Sequence, residues 1–457
     1  MRKKVKPVIG ERTRRKARRP QMSKPEPEPT TPAAGANTRG EGPGSDVGPA
    51  LLAVELALTG DGTWERAEIA IDELTRGADV SGFASLFRGV PAGALVMDAA
   101  GVDGYLDLRD TQLIAESRRQ QAKEPRLFRE RQLALDDDLR QIVGQRLAAA
   151  SARHKAGQPP TVAEFGLLEG ILGLGVVLLR CAPGTPLMQQ VIDYVVGLTR
   201  PVLVNGTQVP GWYVAHDPGP DTATPGGHVN MTMASGAGGL LAFLVTCVRA
   251  GYTLDSLQVP IKALVDWFVR WKQPASAEIW PDSVWWPRWV TPDEIRAGDP
   301  SVVERGNHEA LPSWSRMGGM ARALQMGAIV IGDEAARGLA EAALLACLTD
   351  RQIRRLDDPS LWGGLAGLYQ TGFRAAVDAS GPMEIRLKHR MSAVGDALRR
   401  YASAQVLDVP DGFWTGRSGF GLAAQTLRRG TAPTSQWDAC LLITGRPRAS
   451  APGYVLW

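Results

Sequence analysis

Apolar residues recur along this chain with the period of an α-helix, from about residue 50 almost to the C-terminus. The clearest instance is Ala336, Leu339, Ala340, Ala343, Leu344, Cys347 and Leu348, spaced so that all seven share one helical face. Residues 53–58, 141–149, 188–199 and 261–271 carry the same pattern. Alternating, strand-like runs are scarce. Within residues 202–213 an Asn205-Gly206 pair between apolar positions predicts one small hairpin. Residues 227–248 hold no charge over a length that would span a bilayer. They include His228, Asn230, Thr232, Ser235 and four glycines, however, which hydrocarbon tolerates poorly. That run predicts a helix buried on all sides inside a soluble protein.

Several of the helical runs open on the same small-residue signal. Examples are Gly89-Val90-Pro91-Ala92-Gly93, Gly170-Ile171-Leu172-Gly173, Gly236-Ala237-Gly238-Gly239, Gly364-Leu365-Ala366-Gly367 and Gly416-Arg417-Ser418-Gly419. A looser copy is Ser315-Arg316-Met317-Gly318-Gly319-Met320. Such starts predict helices that begin where another backbone passes close by. The intervals between Gly89, Gly170, Gly236, Gly318, Gly364 and Gly416 each leave room for a pair of helices and its loops. Paired helices in repeat predict an all-α architecture, an α/α solenoid or a closed α/α toroid. Inner helices would be nearly apolar and outer ones amphipathic. In a toroid the glycine-bearing starts converge on one end, where a site would form. The longest interruption, about residues 273–312, gathers Trp280, Trp285, Trp286 and Trp289 among prolines, with Trp314 just after it. Two readings stand: Trp285, Trp286, Trp289 and Trp314 line a substrate groove, or the loop is pinned down by its own aromatics.

Composition changes the picture at the N-terminus. The formal charge is +4, yet residues 1–50 carry 12 Lys and Arg against 5 Asp and Glu, a surplus of +7 that leaves the other 407 residues at −3. The main body is therefore mildly acidic, and its bulk charge asks for no nucleic acid. Residues 1–49, basic and then Pro- and Gly-rich, predict a disordered tail ahead of a single toroid domain at 50–457. No apolar core follows the basic residues, so neither a signal peptide nor a transmembrane segment is expected. Cys181, Cys247, Cys347 and Cys440 lie singly in apolar runs, which predicts buried structural thiols in a reducing, cytoplasmic setting.

Further segments carry a resemblance. These are Ser85-Leu86-Phe87-Arg88-Gly89-Val90-Pro91-Ala92, Gly227-His228-Val229-Asn230-Met231-Thr232-Met233-Ala234-Ser235-Gly236, Trp314-Ser315-Arg316-Met317, Leu361-Trp362-Gly363-Gly364 and Ser435-Gln436-Trp437-Asp438. In this order and spacing, over most of residues 80–445, they resemble the lanthionine synthetase C (LanC) family of lanthipeptide cyclases. The resemblance implies an α/α toroid that adds a peptide cysteine thiol to a dehydroalanine or dehydrobutyrine. It also implies a zinc ion, held by two Cys and one His, that keeps the thiol as thiolate, and an acid that protonates the enolate.

Carried over position by position, that apparatus falls on other residues. The first Cys ligand falls on Ser315, the Cys-His pair on Trp362 and Gly363, and the neighbouring Tyr on Arg316. A family His falls on Ser235, the acid of the second repeat on Gly166, and an Arg near Leu311. Trp362 would then fill the space of the metal, and no zinc is expected. His308, Glu309 and Arg316 are the candidate replacements for acid–base or anion-stabilising roles. Glu169 opens an inner helix, where a carboxylate also simply suits the helix start. His228 is expected to hydrogen-bond backbone.

The expectation is a non-catalytic LanC-like protein that binds a precursor peptide or a dehydratase partner, cytoplasmic or brought to the membrane within a biosynthetic complex. The alternative is a zinc-independent cyclase. A toroidal glycan enzyme would need paired carboxylates such as Asp282 with Glu304 or Glu309.

Overall fold

The computed structural model describes residues 47–81, 83–101, 125–218, 223–276, 280, 283–298, 310–404 and 410–444. Most of the expected N-terminal tail lies outside the described residues. The first helix, α1 (Val47–Thr59), begins three residues before the domain start at residue 50 expected from sequence.

Helices then alternate between two roles. The helices α3 (Val90–Ala99), α6 (Ile171–Cys181), α8 (Ala237–Arg249), α11 (Met317–Ile331) and α14 (Leu365–Asp378) are buried around most of their circumference. With α1 and α16 (Arg417–Arg429) they form a closed inner ring. Each packs on the next in chain order, and α16 returns to α1. The outer helices are α2 (Trp64–Thr75), α4 (Pro125–Lys155), α7 (Pro186–Leu198), α9 (Leu254–Trp271), α12 (Glu334–Cys347) and α15 (Gly381–Ala404). Each lies across the seam between two successive inner helices. In α9 the buried face is Leu257, Ile261, Leu264, Val265 and Phe268, the helical spacing the sequence predicts. Short helices α5 (Val162–Phe165), α10 (Pro292–Ala297) and α13 (Asp350–Ile353) sit in connections. The expected hairpin is present: β1 (Pro201–Val204) pairs antiparallel with β2 (Thr207–Pro210) around Asn205 and Gly206, both at positive φ. A second small pair, β3 (Val229–Asn230) with β4 (Trp289–Val290), was not legible in the sequence. The architecture is the all-α, α/α toroid. No helix among the described residues is long and apolar enough to cross a membrane.

The glycine repeat has a steric cause. At Gly364, the N-cap of α14, an added Cβ would lie 2.0 Å from the Asp358 carbonyl oxygen. At Gly367 it would lie 2.0 Å from the Leu361 carbonyl oxygen. Each inner loop doubles back tightly against the first turn of the helix it feeds, and only hydrogen fits between. The start of α11 differs from expectation. Its N-cap is Arg316, with Gly318 and Gly319 inside the first turn. The seventh inner helix, α1, escaped the repeat because it has no glycine N-cap; its Gly48 meets the Phe413 backbone instead.

The lumen is filled by the chain itself. Residues 433–444, including a 3₁₀ turn at Trp437–Leu441, run through the ring with most of their residues buried. Polar side chains of the inner helices meet their backbone. The Glu55 carboxylate of α1 accepts from the Thr434 and Ser435 amides at 3.0 and 2.8 Å. Arg322 of α11, fully buried, donates to the Ile443 carbonyl at 3.1 and 3.0 Å and to Asp378 of α14 at 2.6 Å. Arg249 of α8 also reaches Asp378, at 2.9 Å, and the Thr444 carbonyl. Gln370 and Arg374 of α14 hold the Asp438 carboxylate. Burial pushes the Arg322 guanidinium down to about 10, with the Asp378 charge opposing that fall. For Asp378 burial acts against the charge, but Arg322 and Arg249 outweigh it and hold the carboxyl below its ordinary value.

Two stability measurements follow. In denaturant titrations Gly367→Ala should lose more than about 2 kcal/mol, the scale of a core clash. Gly338→Ala on α12, where a Cβ meets nothing within 4 Å, should gain up to about 1 kcal/mol from helix propensity. Equal effects would refute the steric account. Because the folded Asp378 pKa is depressed, its contribution is complete above the unfolded carboxyl value of about 3.9 and is lost as pH falls through the folded value. Asp378→Asn should therefore flatten the acid limb of stability against pH. It should also cost about 3–5 kcal/mol at neutral pH, because Arg322 loses its buried counter-charge.

Candidate functional site

Inner-helix starts converge at one end of the toroid, and their loops are stitched to one another there. The Ser315 amide donates to the Trp362 carbonyl at 3.3 Å. The Leu361 and Trp362 amides donate in turn to the Trp414 carbonyl at 3.0 and 3.1 Å. The starts of α11, α14 and α16 thus form one continuous backbone unit, which places Ser315 beside Trp362 and Gly363. A neighbouring unit joins two more of the expected positions: the Leu167 amide, next to Gly166, donates to the Ala234 carbonyl, next to Ser235, at 2.8 Å.

An aromatic cluster floors this end. Trp314 stacks on Trp414 at 5.0 Å between ring centroids and meets Trp362 edge-on at 5.5 Å. Trp362 and Trp414 meet edge-on at 5.3 Å. Phe87, in the loop before α3, stacks on Phe413 at 5.2 Å and touches Trp414 at 4.7 Å. Trp314 and Phe413 are buried, whereas Phe87, Trp362 and Trp414 keep part of their surface open. The Trp314 indole N–H is anchored on the Leu441 carbonyl of the lumen segment at 3.0 Å. Phe87, Phe413 and Trp414 were missed in the sequence. Their only signal there is an aromatic two or three residues ahead of an inner-helix glycine.

The donor set does not fit a zinc ion. The Ser315 hydroxyl, 6% exposed, lies 3.2 Å from that of Ser313 and is a poor ligand. An indole nitrogen has no lone pair to give, and Gly363 has no side chain. Among the described residues no three His, Cys, Asp or Glu side chains gather as a metal would require. Burial raises the thiols of Cys247, Cys347 and Cys440, so these do not supply thiolate at neutral pH. Gly166, on which the resemblance places an acid, is closed sterically as well. A Cβ at Gly166 would lie 2.6 Å from the Val162 carbonyl oxygen and 3.0 Å from that of Ala234. Gly363 is open by contrast: a Cβ there meets only an Asp358 carboxylate oxygen, at 3.7 Å. That carboxylate is bound by the Ser360 amide and hydroxyl at 2.8 and 2.7 Å, which fixes the turn into α14.

Arg316 is half-buried at the N-cap of α11, and Leu311 is half-buried with its carbonyl accepting from the Met317 amide. His308 and Glu309 lie outside the described residues, as do Asp282 and Glu304. Glu169 is exposed, its carbonyl bound by Arg146. His228 is buried and its Nδ1 lies 3.0 Å from the His216 carbonyl, a backbone contact as expected. The tryptophan loop corrects the groove reading: Trp285, Trp286 and Trp289 are at most 5% exposed, and Trp314 is fully buried. The Trp286 indole donates to the Phe268 carbonyl at 2.7 Å, and Trp285 and Trp289 sit in paired backbone. Their faces are used in packing, so the loop is pinned by its own aromatics.

No protein-family model and no curated protein sequence matches this chain. Among solved structures it is similar to one titled nisin cyclase, with a TM-score of 0.66 at 16% identity, over 87% of this chain and 91% of that one. The likeness shows a LanC-like toroidal fold.

If Ser315, Trp362 and Gly363 occupy the ligand positions of that fold, donors placed there should capture metal. The triple variant Ser315→Cys, Trp362→Cys, Gly363→His should bind about one zinc per chain, lost to a chelator, by metal analysis after dialysis. A folded triple variant that holds no zinc would show that the three positions do not share one site.

Proposed function

We propose that this chain serves lanthipeptide maturation as a non-catalytic LanC-like protein that holds a precursor peptide across the aromatic floor. The observation that carries this reading is the replacement, at the converging helix starts, of a metal donor set by Trp362 packed among Trp314 and Trp414. A thiol at neutral pH needs a metal or a base to become a nucleophile, and the residues at these positions supply neither. Partly open indole faces braced from beneath are instead suited to binding. They offer large apolar contact area at small entropic cost and form the anchors that dominate peptide interfaces. The rigid backbone unit behind them keeps the floor preformed. On this reading zinc is not a cofactor, the peptide or a dehydratase carrying it is the partner, and the setting is cytoplasmic.

The test uses a precursor-type peptide with cysteines and dehydrated Ser or Thr residues. Intrinsic tryptophan fluorescence should report saturable binding. Trp362→Ala should weaken binding by about 2 kcal/mol, roughly thirtyfold, the size of an aromatic hot spot. Free thiols counted by alkylation and mass spectrometry should decline no faster than without protein. Ring formation above that rate would overturn the scaffold reading in favour of a zinc-independent cyclase.

A further inference from the structure

One carboxylate stands at the edge of the aromatic floor. Asp358, half-buried in the turn that feeds α14, accepts the Ser360 amide on Oδ1 at 2.8 Å and the Ser360 hydroxyl on Oδ2 at 2.7 Å. No Lys or Arg side chain among the described residues pairs with it. Gly363, directly after Trp362, leaves Oδ2 uncovered: a Cβ there would come within 3.7 Å of that oxygen, and glycine supplies none.

Selectivity here comes from position rather than from net charge, because the cations of this end are engaged elsewhere. Arg417, at the start of α16, holds Asp411 through two bonds at 3.1 Å. Arg355 donates to the Ala310 carbonyl at 2.9 Å and to Gln352 at 2.7 Å. Arg354 and Arg400 line a separate cavity, between α13 and α15.

The indoles beside Asp358 also lack partners. Trp314 gives its N–H to the Leu441 carbonyl, whereas the N–H groups of Trp362 and Trp414, both half-buried, meet no acceptor among the described residues. An extended peptide brings what this face lacks. Its carbonyls suit the two indole donors. A Lys or Arg side chain adds an apolar stem that can lie along an indole, with a cationic head that an aromatic face and a carboxylate both attract.

We propose that Trp362 and Asp358 form a subsite for a Lys or Arg side chain of the bound peptide. The stem lies against the Trp362 indole, and the cationic head crosses bare Gly363 to the Asp358 carboxylate. The subsite rests on the peptide-binding reading above and names the side-chain class that the floor selects.

Fluorescence anisotropy on the full chain compares two labelled, cysteine-containing peptides that are otherwise neutral. They differ at one position, Lys in the first and uncharged norleucine in the second. The Lys peptide should bind at least about fivefold tighter, and its advantage should shrink as salt rises. Asp358→Asn keeps an oxygen for the Ser360 amide, so the unfolding temperature should hold while the Lys advantage disappears. Asp358→Glu, which keeps the charge, should retain part of it. Equal binding of the two peptides, or a full Lys advantage in Asp358→Asn, would overturn the subsite. The norleucine peptide separates the two ideas. If it binds in a manner that Trp362→Ala weakens, only the cation subsite has failed; if neither peptide binds, the peptide-binding reading has failed too.

Discussion

The lumen segment, residues 433–444, is the constraint on which the rest depends. A chain passing through the middle of a helical ring buries amides and carbonyls that no helix or sheet satisfies, and each such group left unpaired would cost about 1–3 kcal/mol. The inner helices answer with charge: Glu55 for the amides, Arg249 and Arg322 for the carbonyls, and Gln370 with Arg374 for the Asp438 carboxylate. Burying those charges is tolerable only because they are paired, with Asp378 between Arg322 and Arg249. Gln436 and Leu442 hold left-handed backbone at either end of the 3₁₀ turn, a strain of order 1–2 kcal/mol each that the surrounding bonds outweigh. The ring and its filling specify each other, since neither satisfies its polar groups alone.

The candidate site inherits its rigidity from that arrangement. Trp314 donates to the lumen segment at Leu441, and Trp437 of the same segment packs edge-on against Phe413. The floor is thus braced from below, while the loop-to-loop amides from Ser315 through Trp362 to Trp414 brace it sideways. The positions compared with the family's ligands carry a hydroxyl, an indole and a bare glycine, and backbone carbonyls crowd Gly166. This end presents a preformed aromatic face.

Much of this was legible before any coordinates. Helical periodicity, the glycine starts and their intervals predicted paired helices in repeat, a solenoid or a closed ring, since a helix that begins under another backbone must begin without a Cβ, and the family resemblance pointed to the ring. The ordered motifs also identified Ser315, Trp362, Gly363, Gly166 and Ser235 as positions worth comparing. The tertiary structure alone decided which residues meet across the ring. Phe87, Phe413 and Trp414 join Trp314 and Trp362 from loops far apart in sequence, and no local pattern marks such a meeting. It also decided that Trp285, Trp286 and Trp289 pack inward, because a run of aromatics has the same composition whether its faces meet solvent or each other. Local sequence determines period and sterics; burial and charge pairing depend on neighbours that only the closed ring supplies.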